Sequence, residues 1–250
     1  MNAGAKVWSD HWSETARQTF RVAEGRPLFH AGWRRTVFIH YEVDAAVLQP
    51  EVPFPLDTRD GKAYVSLVAF TLSDLRLAAG GPPFSTHGFL NVRTYTRGNG
   101  IYFLAEWLPN PFCVFLGPRL YGLPYRRGRL DYDHRHETGR LHGRVAGRDG
   151  ALEFHAPIDP HAAFAPCAAG GLDEFLLERY TAFTRRGNAE RLFRVWHRPW
   201  PQVPVDVTML DESLVASTGP WFRHARRIGA NYSPGFSEVW MGRPRRRSAC

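Results

Sequence analysis

Nineteen prolines and 23 glycines are spread through the 250 residues as punctuation between short apolar segments. Proline removes a ladder donor and interior glycine weakens a strand, so both collect where strands end. Their spacing predicts many short strands, in a barrel or sandwich with a few helices. No Ser/Gly-rich linker, low-complexity block or fixed-period repeat divides the chain. One domain is expected over residues 1–242, with a basic tail over 243–250. A domain of this size buries roughly 70–75% of its unfolded surface, enough for a core and a cavity.

Composition excludes several classes. Hydrophobic residues are 44% and charged residues 22%, close to globular averages, so general disorder is excluded. The longest nearly apolar run, Val65 to Leu72, is far shorter than the roughly 20 residues of a membrane span. The N-terminal MNAGAKVWSDHW lacks the apolar centre of a secretory signal. Cys113, Cys167 and Cys250 form neither a disulfide framework nor a zinc spacing, which points to a reducing cytoplasm. The net charge is +8, and of 32 basic residues only Lys6 and Lys62 are lysines. That imbalance reads as genome composition rather than function. Arg243, Arg245, Arg246 and Arg247 supply half of the excess charge. Nucleic-acid binding needs a concentrated basic face, which the body of the chain lacks. The tail is expected to be solvated, although it could touch phosphate or anionic lipid.

Periodicity places the elements. Trp8, Trp12, Ala16 and Phe20 suggest a helix over 8–24. In TVFIHYEV (36–43), Val37, Ile39 and Tyr41 share one strand face, and Thr36, Phe38, His40 and Glu42 the other. AYVSLVAFT (63–71) is apolar almost throughout, as in a strand covered on both sides. A hairpin is expected at 91–107, with a two-residue Gly98-Asn99 turn. It would pair Thr96 with Ile101, Tyr95 with Tyr102, Arg93 with Leu104 and Asn91 with Glu106. One face then carries Asn91, Arg93, Tyr95, Tyr102 and Glu106. Further strands are expected at 112–121, 129–135, 140–146, 151–156, 192–198 and 236–241, with a turn at Arg148-Asp149-Gly150. A helical stripe of Leu172, Phe175, Leu176, Arg179, Tyr180 and Phe183 predicts a helix over 172–185.

Five segments together resemble one family: LDTRDGKAYVSLVAF (56–70), NVRTYTRGNGIYFL (91–104), RLYGLPY (119–125), LDEFLLERY (172–180) and HRPW (197–200). They are similar to the YqjF-like bacterial proteins of unknown function, within the acetoacetate-decarboxylase-like superfamily. The match runs from about residue 27 to 241. The resemblance implies a β-rich (α+β) fold: an antiparallel, cone-shaped β-barrel with a few peripheral helices and an internal ligand cavity. Acetoacetate decarboxylases carry Gly-x-Pro-Lys-Lys, whose first lysine forms an imine with the keto acid while its neighbour lowers its pKa. Here Gly122-Leu123-Pro124 is followed by Tyr125 and Arg126. Tyrosine cannot form an imine, so imine-based decarboxylation is not expected. Other superfamily members oligomerise, so a homo-oligomer is a possibility.

Several side chains carry candidate chemistry. Arg93 can hold a carboxylate bidentately, and Glu106 can carry a proton if the site is dry. The plainer reading is an internal Arg93–Glu106 ion pair. Tyr95 belongs to the same face. Arg119 is a candidate second anion ligand, with Arg126 beside it, and Tyr125 a phenolic donor. His197, among Phe193 and Val195, is either a proton carrier or a satisfied core histidine. His40 and Glu42 share a face, but two ligands are common by chance. His134 and His136 read as surface, and Cys113 as core. No metal constellation, phosphate loop, dinucleotide fingerprint or GxSxG elbow is present. No cofactor, metal or membrane partner is therefore expected. Two readings stay open: a lyase, hydratase or isomerase acting on a small oxo- or hydroxy-carboxylate, and a non-catalytic binder of an apolar or anionic metabolite.

Overall fold

The computed structural model describes residues 10–247. Its strands are β1 (Phe29–Asp44), β2 (Lys62–Leu77), β3 (Ser85–Thr96), β4 (Gly100–Leu108), β5 (Tyr125–Arg127), β6 (Arg129–Asp133), β7 (Arg140–Gly147) and β8 (Gly150–Pro157). They continue with β9 (Thr181–Arg186), β10 (Ala189–Trp196), β11 (Val203–Pro204), β12 (Thr208–Asp211), β13 (Arg226–Met241) and β14 (Arg245–Arg246). The helices are α1 (Asp10–Glu24), α2 (Ala45–Leu48), α3 (Pro111–Leu120), α4 (Leu172–Leu177) and α5 (Ser213–Ala216).

The alternation read in the sequence divides the interior in two. Val37, Ile39 and Tyr41 of β1 and Val65, Leu67 and Ala69 of β2 enter one core. Phe38 of β1 and Val68 and Phe70 of β2 enter the other. Both strands are thus covered on both faces. Hydrogen bonding runs β13–β1–β2–β3–β4–β9–β10 and then returns from β10 to β13 through Val195–Met241 and Trp196–Trp240. The sheet is therefore ring-like. A second sheet, β12–β8–β7–β6, covers its first face, where Leu141, Val145, Leu152 and Phe154 pack with Val37, Leu67, Val92 and Trp107.

Not every pairing is antiparallel. The far edge of β4 is shared by two parallel partners: β9 takes Gly100 to Tyr102, and β5 takes Glu106 to Leu108. β9 occupies residues expected to be helical. The stripe from Leu172 holds only to Leu177. Glu178 then turns its carboxylate to the Trp200 N–H (2.9 Å) and the Tyr180 hydroxyl. Beyond it Ala182 and Phe183 alternate into opposite cores, which only a strand allows. The expected strand at 112–121 is instead α3. The Asn110 Oδ1 accepts the N–H groups of Phe112 (3.0 Å) and Cys113 (3.3 Å), and Pro111 sits in the first turn.

The hairpin also differs from expectation. Its loop has three residues, Arg97-Gly98-Asn99, with φ of 84° and 54° at the last two. Tyr95 therefore faces Ile101, and Arg93 faces Phe103. A bulge at Leu104 restores the register, so Asn91 faces Glu106 as expected. One consequence is that Tyr102 leaves the Arg93 face and packs on Phe54 in the first core.

Three smaller expectations change. In α1, Phe20 is buried but Trp12 is exposed; Trp8 lies outside the described residues. The tail is docked as far as residue 247. β14 pairs with β10, Arg245 reaches Glu24 at 3.2 Å, and Arg247 reaches Glu190 at 3.3 Å. His134 is buried, stacked on Tyr132 with its Nδ1 2.9 Å from the Arg35 carbonyl. No helix among the described residues is long and apolar enough to cross a membrane.

Ring closure depends on backbone contact between β1 and β13. Gly235 has φ +81°, and a Cβ there would lie 1.9 Å from the Trp33 carbonyl oxygen. Gly235→Ala should cost at least about 2 kcal/mol through strain and forced strand separation. Urea unfolding measures this, and an unchanged midpoint would refute the tight β1–β13 contact.

Candidate functional site

The second face of the ring encloses a cavity of about 610 Å³. Its wall is mostly aliphatic and aromatic, with side chains such as Val68, Phe70, Phe89 and Ile101. Polar groups enter it from two neighbouring strands. Residues 87, 89, 91 and 93 alternate onto one face of β3, and β4 delivers Glu106 across from Asn91.

Arg93 is 5% exposed. Its Nη2 donates to the Leu176 carbonyl at 2.9 Å, and the guanidinium lies 5.8 Å from the Phe38 ring centre. Its Nε has no partner. Among the described residues no carboxylate forms an ion pair with it, so the Arg93–Glu106 bridge allowed by the register is not made. Three more buried polar atoms on this cavity are also unpartnered: His87 Nε2, Asn91 Oδ1 and Glu106 Oε2. An unmet buried polar group costs about 1–3 kcal/mol, so four on one cavity mark where a ligand's polar atoms fit.

Burial raises the Glu106 carboxyl well above its ordinary range. Burial thus favours its neutral acid form, which can donate a hydrogen bond or a proton. Tyr125 follows Pro124 into β5 and pairs in register with Glu106. Burial pushes its phenol up, and the neighbouring Glu106 pushes it further. Its ring stands edge-on to Phe89 and passes close over α3, where a Cβ at Gly117 would meet its Cε2 at 2.3 Å. Gly117 of FLGPRL thus seats this ring, whereas Gly122 of RLYGLPY has φ +75° and a Cβ there would meet the Arg185 carbonyl oxygen at 3.0 Å.

The other candidates fall elsewhere. Tyr95 is buried behind the cavity wall, its hydroxyl donating to Leu176 O at 2.9 Å beside Arg93. His197 follows β10 and is enclosed by Tyr180, Phe236, Trp33 and Trp200. Burial lowers it to about 4, so it is neutral. Its Nδ1 pairs with the Arg198 carbonyl at 2.7 Å, and it does not line the cavity. Arg119 is exposed on α3, folded over Phe115 and bonded to its carbonyl. Arg126 lies over Trp107 on the opposite face. The structure brings together Arg93, Glu106 and Tyr125, and leaves the remaining four off the cavity surface. Sequence reading missed His87, because the strand was started at Asn91 and the alternation was not extended backwards. It also missed Cys113, which lines the cavity from α3. Lys62, the lysine among the described residues, is exposed at the start of β2.

Residues 30–236 match the family model of DUF2071, described as an uncharacterized conserved protein. The chain belongs to this family. It is 29% identical over 196 residues to the uncharacterized protein YqjF of Bacillus subtilis (strain 168), covering 74% of this chain and 78% of that one. The fold is shared with an acetoacetate decarboxylase-like enzyme from Sphingomonas wittichii RW1. That match has a TM-score of 0.59 at 15% identity and covers 88% of this chain and 92% of the other. It is shared also with acetoacetate decarboxylase from Legionella pneumophila, with a TM-score of 0.61 at 12% identity over 89% and 87% of the two chains. At such identities the likeness concerns the fold.

The Glu106 assignment has a measurable sign. A carboxyl raised on folding favours the native state while it is protonated. That contribution is present below about pH 4.5, the unfolded value, and is lost as pH rises toward the folded value. Glu106→Gln cannot ionise. Its unfolding free energy should fall less steeply than wild type from about pH 5 to 8, making it the more stable protein at the upper end. Parallel curves in urea titrations would show that Glu106 is not held neutral.

Proposed function

We propose that the cavity binds a carboxylate and that Arg93 is its anchor. The observation that carries this is a buried guanidinium that makes no ion pair among the described residues, set among three further unpartnered polar atoms on one cavity. A ligand carboxylate would neutralise Arg93 and accept from its free Nε. The returning sheet path and the shared fold support reading the ring as the cone-shaped barrel of acetoacetate decarboxylases.

In this reading Glu106 and Tyr125 are the proton carriers. Both are neutral at physiological pH, so each can give a proton to an oxygen or carbon beside the bound carboxylate. Glu106 is the better acid of the two. Lyase, hydratase or isomerase chemistry on an oxo- or hydroxy-carboxylate suits such a pair. Imine formation does not, because Tyr125 stands in the lysine position and Lys62 is remote from the cavity. The apolar wall favours a second reading, in which the chain holds its ligand without turnover. A cytoplasmic location fits both readings.

A thermal-shift series of mono- and dicarboxylates, including 2-oxo and 3-oxo acids, tests the anchor. A ligand at 100 times its Kd should raise the Tm by about 5–10 °C. Arg93→Gln should remove that shift; a shift that survives it would refute the anchor. Glu106→Gln and Tyr125→Phe should keep binding and lose turnover. Unchanged turnover in both would remove their catalytic roles, and binding without any turnover would establish the binder.

A further inference from the structure

We infer that the ligand is an amphiphile, a carboxylate on an extended apolar body of roughly 8–14 carbons, held head inward with its tail at the mouth of the cavity. The inference rests on the carboxylate reading above and adds the class of molecule that carries the carboxylate.

Three observations lead to it. First, three of the four unpartnered polar groups are deep, and the fourth, His87, is half-buried near the start of β3. Asn91, Arg93 and Glu106 are 7%, 5% and 3% exposed, whereas the opposite end is open. Second, that open end is apolar. Leu77 closes β2, Phe84 precedes β3, and Phe112 and Leu120 lie on α3. All four line the cavity, yet they are 46%, 47%, 60% and 42% exposed. Single exposed apolar side chains are ordinary and need no cause. Here half of the eight large exposed apolar residues among the described residues frame one opening, with Phe115 of α3 beside them. A cluster of that kind marks a binding surface.

Third, the volume is wrong for a short acid alone. A cavity of about 610 Å³ has room for roughly 20 waters at liquid density. A four-carbon oxo-acid fills a minor part of that and touches only the deep polar end. Water filling the rest would find few partners on a wall of Val68, Phe70, Leu72, Ile101 and Phe103. An apolar chain running from Arg93 to the Phe112–Leu120 rim replaces that water and covers the rim.

Calorimetry on delipidated protein with butanoate, hexanoate, octanoate, decanoate and decan-1-ol separates the parts of this inference. Affinity should rise about fourfold for each added CH₂. Decan-1-ol should bind at least tenfold more weakly than decanoate, and Arg93→Gln should erase that difference. The double variant Phe112→Ser/Leu120→Ser changes exposed positions only, so folding is retained. It should weaken decanoate at least fivefold and leave butanoate unchanged. Butanoate binding as tightly as decanoate, with both lost in Arg93→Gln, would overturn the apolar body and keep the carboxylate anchor. Decan-1-ol matching decanoate, indifferent to Arg93→Gln, would overturn the anchor and keep the apolar channel. Absence of binding by every compound would overturn both.

Discussion

A chain of buried hydrogen bonds crosses four adjacent strands and ends beside Arg93. The Gln202 side chain meets Asn231 of β13 at 2.7 Å, and Asn231 meets Nε2 of His40 on β1 at 3.0 Å. His40 Nδ1 meets Ser66 of β2 at 2.6 Å, and Ser66 meets Tyr95 of β3 at 2.5 Å. Tyr95 and Arg93 both donate to the carbonyl of Leu176, at the end of α4. Burial lowers His40 to about 3, so the imidazole is neutral and has a single N–H. If Nε2 donates to Asn231, Nδ1 must accept from Ser66. The one proton of Tyr95 is then shared between Ser66 and Leu176, and the Leu176 carbonyl is left chiefly to Arg93. A ring of strands fixed in this way holds α4 over the interior and holds the guanidinium still. That is the condition for a binding group to act without first being ordered.

The same dry interior sorts the ionisable groups. Burial drives Glu106 up, Glu178 to about 7, His197 to about 4 and His40 to about 3, in each case toward the uncharged form. Arginine cannot follow them, because its guanidinium does not lose its proton in proteins. Arg179, the other buried arginine here, solves the problem with Asp57 at 2.7 Å. Arg93 makes no ion pair among the described residues; it rests on a carbonyl and aromatic faces, with Glu178 near enough to feel its charge. Both arginines line the cavity, one paired with a carboxylate and one not, and the proposed anchor is the unpaired one.

Much of this was legible in the sequence, and the failures have physical causes. The two faces of β1 followed from alternation and the two-sided burial of β2 from its nearly continuous apolar run, and the Asn91–Glu106 pairing survived because a bulge repaid the residue that the longer turn had taken. The fate of Tyr102 could not be read, since a one-residue slip reverses every side chain between turn and bulge. Residues 172–185 misled because Leu172, Phe175 and Leu176 obey helical spacing, whereas Thr181 to Arg186 are recruited by the open edge of β4. Strand recruitment is a tertiary effect that overrides local period. The α3 error was avoidable, for Asn110-Pro111 is a helix start. Of the site, Arg93, Glu106 and Tyr125 came from pattern and family position. The isolation of Arg93 came only from coordinates, because sequence shows what could pair and never what fails to.

Tyr125 is where the proposed chemistry departs from that of an imine-forming decarboxylase. An amine that forms imines needs a lowered pKa and thus cationic neighbours. A ring here needs space, and Gly117 provides it by bringing α3 within contact of the aromatic face. Once the ring is seated it stands edge-on to Phe89 and in register with Glu106. By the motif resemblance, the position of the imine-forming lysine is here part of the apolar wall with one polar tip. Losing that charge lowers the cost of keeping water out, which in turn keeps Glu106 protonated. The tyrosine and the buried Glu106 thus share one apolar setting, and the proposed ligand with a single charged end suits it.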